Sequence, residues 1–416
     1  MSLFIRSLVC DKNYFHFRSF TGIAAPIARM TSVPPIATAK PTNQHFSVGP
    51  HGKECVDLTF VEEPLGLPAE GGYGWPQLNF SEAVGPDNRY VILRKLGWGM
   101  SSSTWLAHDR QGNSHVAIKV LNGYYTDLEK RGRVWELESL KRLSSPTSNA
   151  HCLRLFSNFT LPGKGSTGEH ICLVTQLLGG DIKSLHEAQD AVFPLPLAKR
   201  ILLHTLRGIG HSHSHGVVHT DLKHDNIFFD AQMTSEALDN ILASDPPRRH
   251  PPEPSFDGFV EAAAMQPLPT PTIDEAMKRT YVLADFGSYI WTFGCLIFEF
   301  VTSRALFKYE PYAEYKLDEE NNMLYQMLCY TCEDFPDHIL NVSSQAVKFF
   351  DTSCNLKAGP PLIDYPFEIS IRNYKVIPEA DVLSTTNLMR KCLRLDPANR
   401  ASASELLEDP WFAGID

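Results

Sequence analysis

From Arg89 the chain alternates apolar and polar residues on both sides of a glycine turn, in RYVILRKLGWGMSSSTWLAHD. That pattern predicts a β-hairpin. VAIKVL predicts the next strand. In DLEKRGRVWELESLKRL, Val134, Leu137, Leu140 and Leu143 recur at the three-to-four spacing of a helix with one buried face. ICLVTQLL reads as a strand entering a polar, glycine-containing hinge, and PLPLAKRILLHTLRGIGHSHSHG as a long helix. Most later apolar periodicity is helical. A β-rich front followed by a helix-rich back makes this an α+β chain of two unequal lobes.

Composition narrows the picture. At 416 residues and 43% hydrophobic content the chain can bury a sizeable core, and its length suggests two domains or lobes. A net charge of -10 argues against direct nucleic-acid or acidic-membrane binding and suits basic partners. No apolar run reaches the roughly 18 residues of a membrane span, so WTFGCLIFEFV is core. The 9 cysteines are scattered, which points to reduced thiols inside the cell, in cytoplasm or nucleus. Cys329 and Cys332 form a lone CxxC without a second pair. Residues 1–48 are a disordered tail or a transit peptide, because Arg6, Lys12, Arg18 and Arg29 face a single early acid, Asp11. The second reading makes the mitochondrion the alternative location. Residues 49–88 read as an extended lead-in.

Chemistry collects at the joins between elements. Gly97 and Gly99 allow backbone to approach a polyphosphate, although the third position of the loop is Ser102 and Thr104 follows. Lys119 closes VAIK, and Glu136, on the striped helix, is placed to pair with it. VHTDLKHDN supplies Asp221, Lys223 and Asn226, and LADFG supplies Asp285, a hard oxygen ligand for a divalent cation. Each of these alone reads as a surface residue or an ordinary turn. Their order, each following the expected strand or helix, removes coincidence as an explanation. His211, His213 and His215 in HSHSH point in different directions from a helix end and do not make a metal site.

From about residue 89 to the C-terminus the chain resembles the eukaryotic serine/threonine protein kinases. It is most similar to the SR-protein kinase group of fungal type. RKLGWG followed by STWLAHD, Thr220 in HTDLK where most kinases carry Arg, and the lead-in EEPLGLPAEGGYGWPQLNF carry that resemblance. LMRKCLRLDPANRASASELLEDPWF matches the closing helices of a kinase large lobe, whereas Phe286 departs from the leucine usual in the group. The resemblance implies a bilobal kinase fold, with the N-lobe at 89–178 and the C-lobe at 179–416, interrupted by a Pro-rich insertion at 231–279. It implies transfer of the ATP γ-phosphoryl group with Mg²⁺. Asp221 would be the base, Lys223 would neutralise the moving phosphoryl group, and Asn226 and Asp285 would hold the metal. Lys119, steadied by Glu136, would anchor the phosphates beneath Gly97 and Gly99. Leu96, Ala117 and Phe228 would sandwich the adenine, with Thr175 behind it and the hinge Gln176 to Leu178 at its edge. Leu140, His219 and Phe286 would stack between the lobes. The implied enzyme is a monomer acting on a protein substrate of Arg/Ser-rich type. Glu310, Glu314, Asp318, Glu319 and Glu320 would attract such a substrate or form a plain solvated surface.

Two stretches depart from the family pattern. The insertion contains SDPPRRHPPEPS, which reads as a flexible excursion with a short helix around residues 234–242. In DFGSYIWTFG the metal-binding motif runs straight into the helix that a kinase places after its activation segment and APE motif. About 30 to 45 residues are missing against that template. Tyr289 stands where the helix normally carries Asp, and Arg400 in PANRAS resembles the arginine whose acidic partner lies in the missing segment. The intact flanks fit a clean excision, as an alternative splice form or a misassigned exon produces, better than gradual decay. On this reading the chain is an impaired kinase, or a pseudokinase that binds nucleotide or a partner. The short link also implies that the DFG strand or the Trp291 helix is displaced, or that the helix is partly unwound.

Overall fold

In the computed structural model, residues 27–30, 44–48, 54–189, 192–217, 222–284 and 290–416 are described. Three short strands come first: β1 (Ile27–Met30), β2 (Gln44–Val48) and β3 (Glu54–Thr59) form an antiparallel sheet with β3 in the centre. The alternating stretches after Val84 then become neighbours in a larger sheet. It comprises β4 (Ala83–Val84), β5 (Tyr90–Trp98), β6 (Ser102–Asp109), β7 (Ser114–Leu121), β8 (Leu155–Pro162) and β9 (Glu169–Thr175), in the order β4-β5-β6-β7-β9-β8. One face of this sheet packs Tyr90, Ile92, Trp105, Ile118, Val120 and Val174 into a buried cluster. This is what period-two alternation delivers when one face is covered.

Arg89 and Asp109 tie the outer ends of β5 and β6 together. Arg89 Nε donates to Asp109 Oδ1 at 2.7 Å and its terminal nitrogen to Oδ2 at 2.6 Å. The hydrogen bonds from Arg89 pull the Asp109 carboxyl down to about 2. A depressed carboxyl contributes stability above its unfolded value near 3.8 and loses it as pH falls through about 2. Arg89→Met therefore unfolds at a higher pH than the parent chain. Acid titration followed by circular dichroism reads the shift, and identical acid limbs would show that the pair contributes nothing.

Where a single helical run is expected before Leu143, two helices form. They are α1 (Gly123–Lys130), capped by the Asn122 side chain on the Tyr125 amide, and α2 (Glu136–Ser144). The chain breaks at Gly132, which adopts φ 63, a conformation without penalty only for glycine. Leu140 and Leu143 are buried, while Val134 and Leu137 are only half-buried. β10 (Leu178–Asp181) and β11 (Ile227–Asp230) then pair. Gly179 is needed there, since a Cβ would lie 2.3 Å from the ring of Phe229.

The chain divides into two compact units, and the division corrects the expected place of the insertion. One unit is Phe20–Gly180 together with Phe228–Thr270, and the other contains Asp181–Ile227 and Pro271–Asp416. Residues 231–270 thus belong with the front sheet and are not a loose excursion. The expected short helix is present at Ser235–Ser244, with Thr234 capping the Ala237 amide. A hairpin of β12 (Glu253–Ser255) and β13 (Gly258–Val260) follows. The apolar residues among the prolines decide the matter. Val260 and Ala262 are buried with Leu65 and Trp75 of the lead-in, and Ala263 joins the main sheet cluster. The lead-in is likewise folded rather than merely extended, with Phe60 and Leu67 buried beside Tyr73.

The second unit is helical apart from β14 (Tyr281–Leu283) and the short 3-10 turns. Its core is made by α3 (Leu195–Ser214), α4 (Ile290–Thr302) and α5 (Glu379–Cys392). α4 packs close to α5: a Cβ at Gly294 would come within 2.7 Å of Leu393 and 2.8 Å of Cys392. α4 is regular from Ile290 onward and is not unwound. Arg400 packs against the start of α4. Its guanidinium lies 5.0 Å from the centre of the Trp291 ring, and its Nε donates to the Arg394 carbonyl at 2.9 Å. Burial pushes it down to about 10.

Candidate active site

The front half of the site is written across the sheet. β-pairing sets Gly97 opposite Thr104, Thr104 opposite Lys119, and Lys119 opposite Leu173. At the usual strand spacing, Lys119 lies about 10 Å from the glycine turn, across β6. A second row aligns Leu106, Ala117 and Thr175. Lys119 Nζ donates to Glu136 Oε1 at 2.5 Å, and both side chains are four-fifths buried. The first turn of α2 thus presents its acid to the lysine, while the Glu136 amide donates to Glu129 at 3.1 Å. A half-buried ion pair of this geometry fixes an ammonium that on an open strand would be a mobile point charge.

The two glycines carry a specific message. Neither adopts positive φ, a Cβ at Gly99 would meet nothing within 4 Å, and one at Gly97 would meet only the Met265 sulfur at 3.8 Å. The packing of the described residues therefore does not require them. The turn itself is closed by Gly99 N donating to the Ser102 carbonyl at 2.9 Å, with Met100 exposed at its tip. Behind it, Ala117 and Thr175 are buried and Leu96 half-buried. The Gln176 amide donates to Arg154 O at 3.3 Å, and Leu178 opens β10. Phe228, half-buried, alternates with buried Ile227 and Phe229 along β11.

A second group of expected site residues lies in the helical unit. Asn226 is buried in a 3-10 turn, where its amide donates to the Lys223 carbonyl at 3.0 Å. Its own carbonyl accepts from Ala284 N at 2.9 Å, joining the Asn226 turn to the end of β14. Lys223 is exposed. Asp221, Asp285, His219, Thr220 and Phe286 lie outside the described residues. His224, between Lys223 and Asn226, was not singled out by the motif. Its Nε2 lies 3.4 Å from Glu299 Oε2 of α4, and its ring 5.0 Å from Phe300. Burial drives this histidine down to about 4 and the Glu299 carboxyl up to about 8. Both are therefore uncharged near neutral pH, and an acid inside the apolar run of α4 was the sequence signal for that contact.

Residues 90–249 match the protein kinase domain. The serine/threonine-protein kinase SKY1 of Saccharomyces cerevisiae is 30% identical over 174 residues, which are 39% of this chain and 23% of that protein. The serine/threonine-protein kinase SRPK of Physarum polycephalum is 26% identical over 389 residues, covering 79% of this chain and 87% of the relative. SRSF protein kinase 3 of Homo sapiens is 33% identical over 39% of this chain and 30% of its own length. The chain is thus similar to serine/threonine protein kinases of SR-protein-kinase type, and residues 90–249 are its protein kinase match. The chain spans about a quarter of the length of its yeast relative and under a third of its human one. Its two units are the β-rich and helical parts of the bilobal α+β kinase fold.

Proposed function

We propose that this chain is a serine/threonine protein kinase of SR-protein-kinase type that binds Mg·ATP and moves the γ-phosphoryl group to a serine or threonine hydroxyl of an Arg/Ser-rich protein. The single observation that supports this most is the Lys119–Glu136 pair beside two glycines that the fold itself does not need. Leu96, Ala117 and Phe228 would hold the adenine, Thr175 would stand behind it, and Gln176 to Leu178 would offer backbone groups to its edge. Lys119 would grip the α- and β-phosphates, and the glycine amides would cover them. Asn226 and Asp285 would hold Mg²⁺, which when bound neutralises charge on the phosphate oxygens. The carboxamide of buried Asn226, with an acid in the motif that follows β14, is an oxygen donor set that fits this ion. Asp221 would take the proton from the acceptor hydroxyl as its oxygen bonds to phosphorus. The bond to the ADP oxygen then breaks, and Lys223 would steady the negative charge in flight.

A second reading, a pseudokinase that binds nucleotide without efficient transfer, has its own observation. Only five residues, 285–289, separate Ala284 from α4. An acceptor hydroxyl then lacks the platform that positions it, and positioning dominates phosphoryl transfer. We place the kinase inside the cell, as a monomer. Among the described residues Cys152, Cys172, Cys295, Cys329, Cys332, Cys354 and Cys392 form no disulfide, which suits a reducing compartment. Among the described residues no helix is long and apolar enough to cross a membrane.

Radiolabelled phosphate transfer to matched peptides tests the substrate class. Residual transfer by this chain should favour an arginine-serine peptide over an acidic serine peptide, with Asp221→Asn as the blank. Equal labelling of the two peptides above the blank would contradict an Arg/Ser-rich substrate.

A further inference from the structure

The insertion grips β5 immediately ahead of the glycine turn, and it does so through buried charge. Lys95 has no exposed side-chain surface; its Nζ reaches Glu62 Oε2 at 3.2 Å, Glu63, and the Ala263 carbonyl at 3.1 Å. The Lys95 carbonyl accepts from the Gln266 amide at 3.0 Å, so strand and insertion are joined by backbone as well. Glu62 spans three segments. It faces Lys95, accepts from Met265 N at 2.9 Å, and meets His250 Nε2 at 3.1 Å. One residue earlier on β5, buried Arg94 donates to the Asp245 carbonyl. Gln266 closes the insertion on itself by donating to Asp245 Oδ2 at 2.9 Å and accepting from Arg248 N at 2.9 Å. The gripped residues run into the turn itself. Leu96 packs against the buried Leu238 and Leu268 of the insertion, and among the described residues the Met265 sulfur is the one group near the open side of Gly97.

We infer that residues 245–266 are a strap that holds the glycine turn in its nucleotide-ready shape, with Met265 as its positioning residue and Glu62 of the lead-in as its anchor. β5 is irregular here. Its pairing with β6 shifts register between Ile92 and Arg94 and again between Lys95 and Gly97. Bulges loosen a ladder and re-aim side chains, so a strand with two of them close together needs an external hold. The strap supplies it from the side away from β6, through bonds to the two residues that the bulges turn inward. Its cover of Leu96 and Gly97 reaches the positions expected over adenine and phosphate. The effect on nucleotide therefore rests on the Mg·ATP reading above, whereas the effect on the turn does not.

Hydrogen exchange measured by mass spectrometry on the full chain separates the two. In Glu62→Ala, amides 97–103 should exchange about tenfold faster, the loss expected for hydrogen bonds to a charged group. Met265→Ala, at a partly exposed site that does not threaten folding, should give a smaller increase in the same peptide. Phe259→Ala, at an exposed position in the middle of β13, should leave it unchanged. Unchanged exchange at 97–103 in both Glu62→Ala and Met265→Ala would overturn the strap. Titration with Mg·ATP completes the test. Faster exchange joined to weaker binding supports the coupling, and faster exchange with binding as tight as the parent's overturns it. A parent chain that binds no nucleotide overturns the functional reading and leaves exchange alone to decide the strap.

Discussion

Insertion of a complete activation segment between Ser288 and Tyr289 should raise transfer to an arginine-serine peptide by about 100-fold or more. That is what a misplacement on the ångström scale costs a positioned reaction. The parts on either side of the gap are in place. Ala284 is bonded to the Asn226 turn, and α4 is regular from Ile290. Six steps of chain join these residues and span at most about 21 Å fully extended, which is a link and not a surface for a peptide. The grafted chain with Asp221→Asn serves as the blank, so that added rate is assigned to the proposed base. Equal rates in the parent and grafted chains would show that the segment is not what limits transfer.

The second large effect is on stability. Lys95→Met should cost about 3–5 kcal/mol in urea unfolding, the usual result of removing one partner from a buried charge cluster. Burial already pushes the Glu63 carboxyl up against the pull of Lys95. In Glu62 burial also pushes upward, but the Met265 amide and the Lys95 charge outweigh it and hold the carboxyl below its ordinary range. Without the lysine these two acids face each other in a dry pocket beside the Ala263 carbonyl. A loss under about 1 kcal/mol, the ordinary value for a surface ion pair, would mean that solvent reaches the cluster.

The cluster also shows where the sequence was legible and where it was not. Strands β5 to β7 follow from alternation because their apolar face is covered, and Lys119 and Glu136 meet as the spacing of their elements implied. Lys95 escaped notice because alternation places neighbouring residues on opposite faces, yet Arg94 and Lys95 are both buried. Two bulges in β5 produce this, and no local pattern announces a bulge. The insertion misled for a related reason. Its prolines suggested a solvated linker, while Val260, Ala262 and Ala263 were too widely spaced to show periodicity and are buried by distant partners. A pair of acids in the lead-in, Glu62 and Glu63, facing a lone lysine in an apolar strand, was the only hint. The break between α1 and α2 was legible after the fact, at Gly132.

On the reading proposed above, the nucleotide site survives in a chain whose substrate platform does not. Thermal unfolding with increasing Mg·ATP tests it most directly, since it needs no turnover. A ligand held at a hundredfold excess over its dissociation constant adds about 2.7 kcal/mol of stability. The parent chain should show a rising melting temperature at millimolar Mg·ATP, and Lys119→Met should abolish the rise while melting at a similar temperature without nucleotide. No shift in the parent chain, or an equal shift in Lys119→Met, would contradict the account.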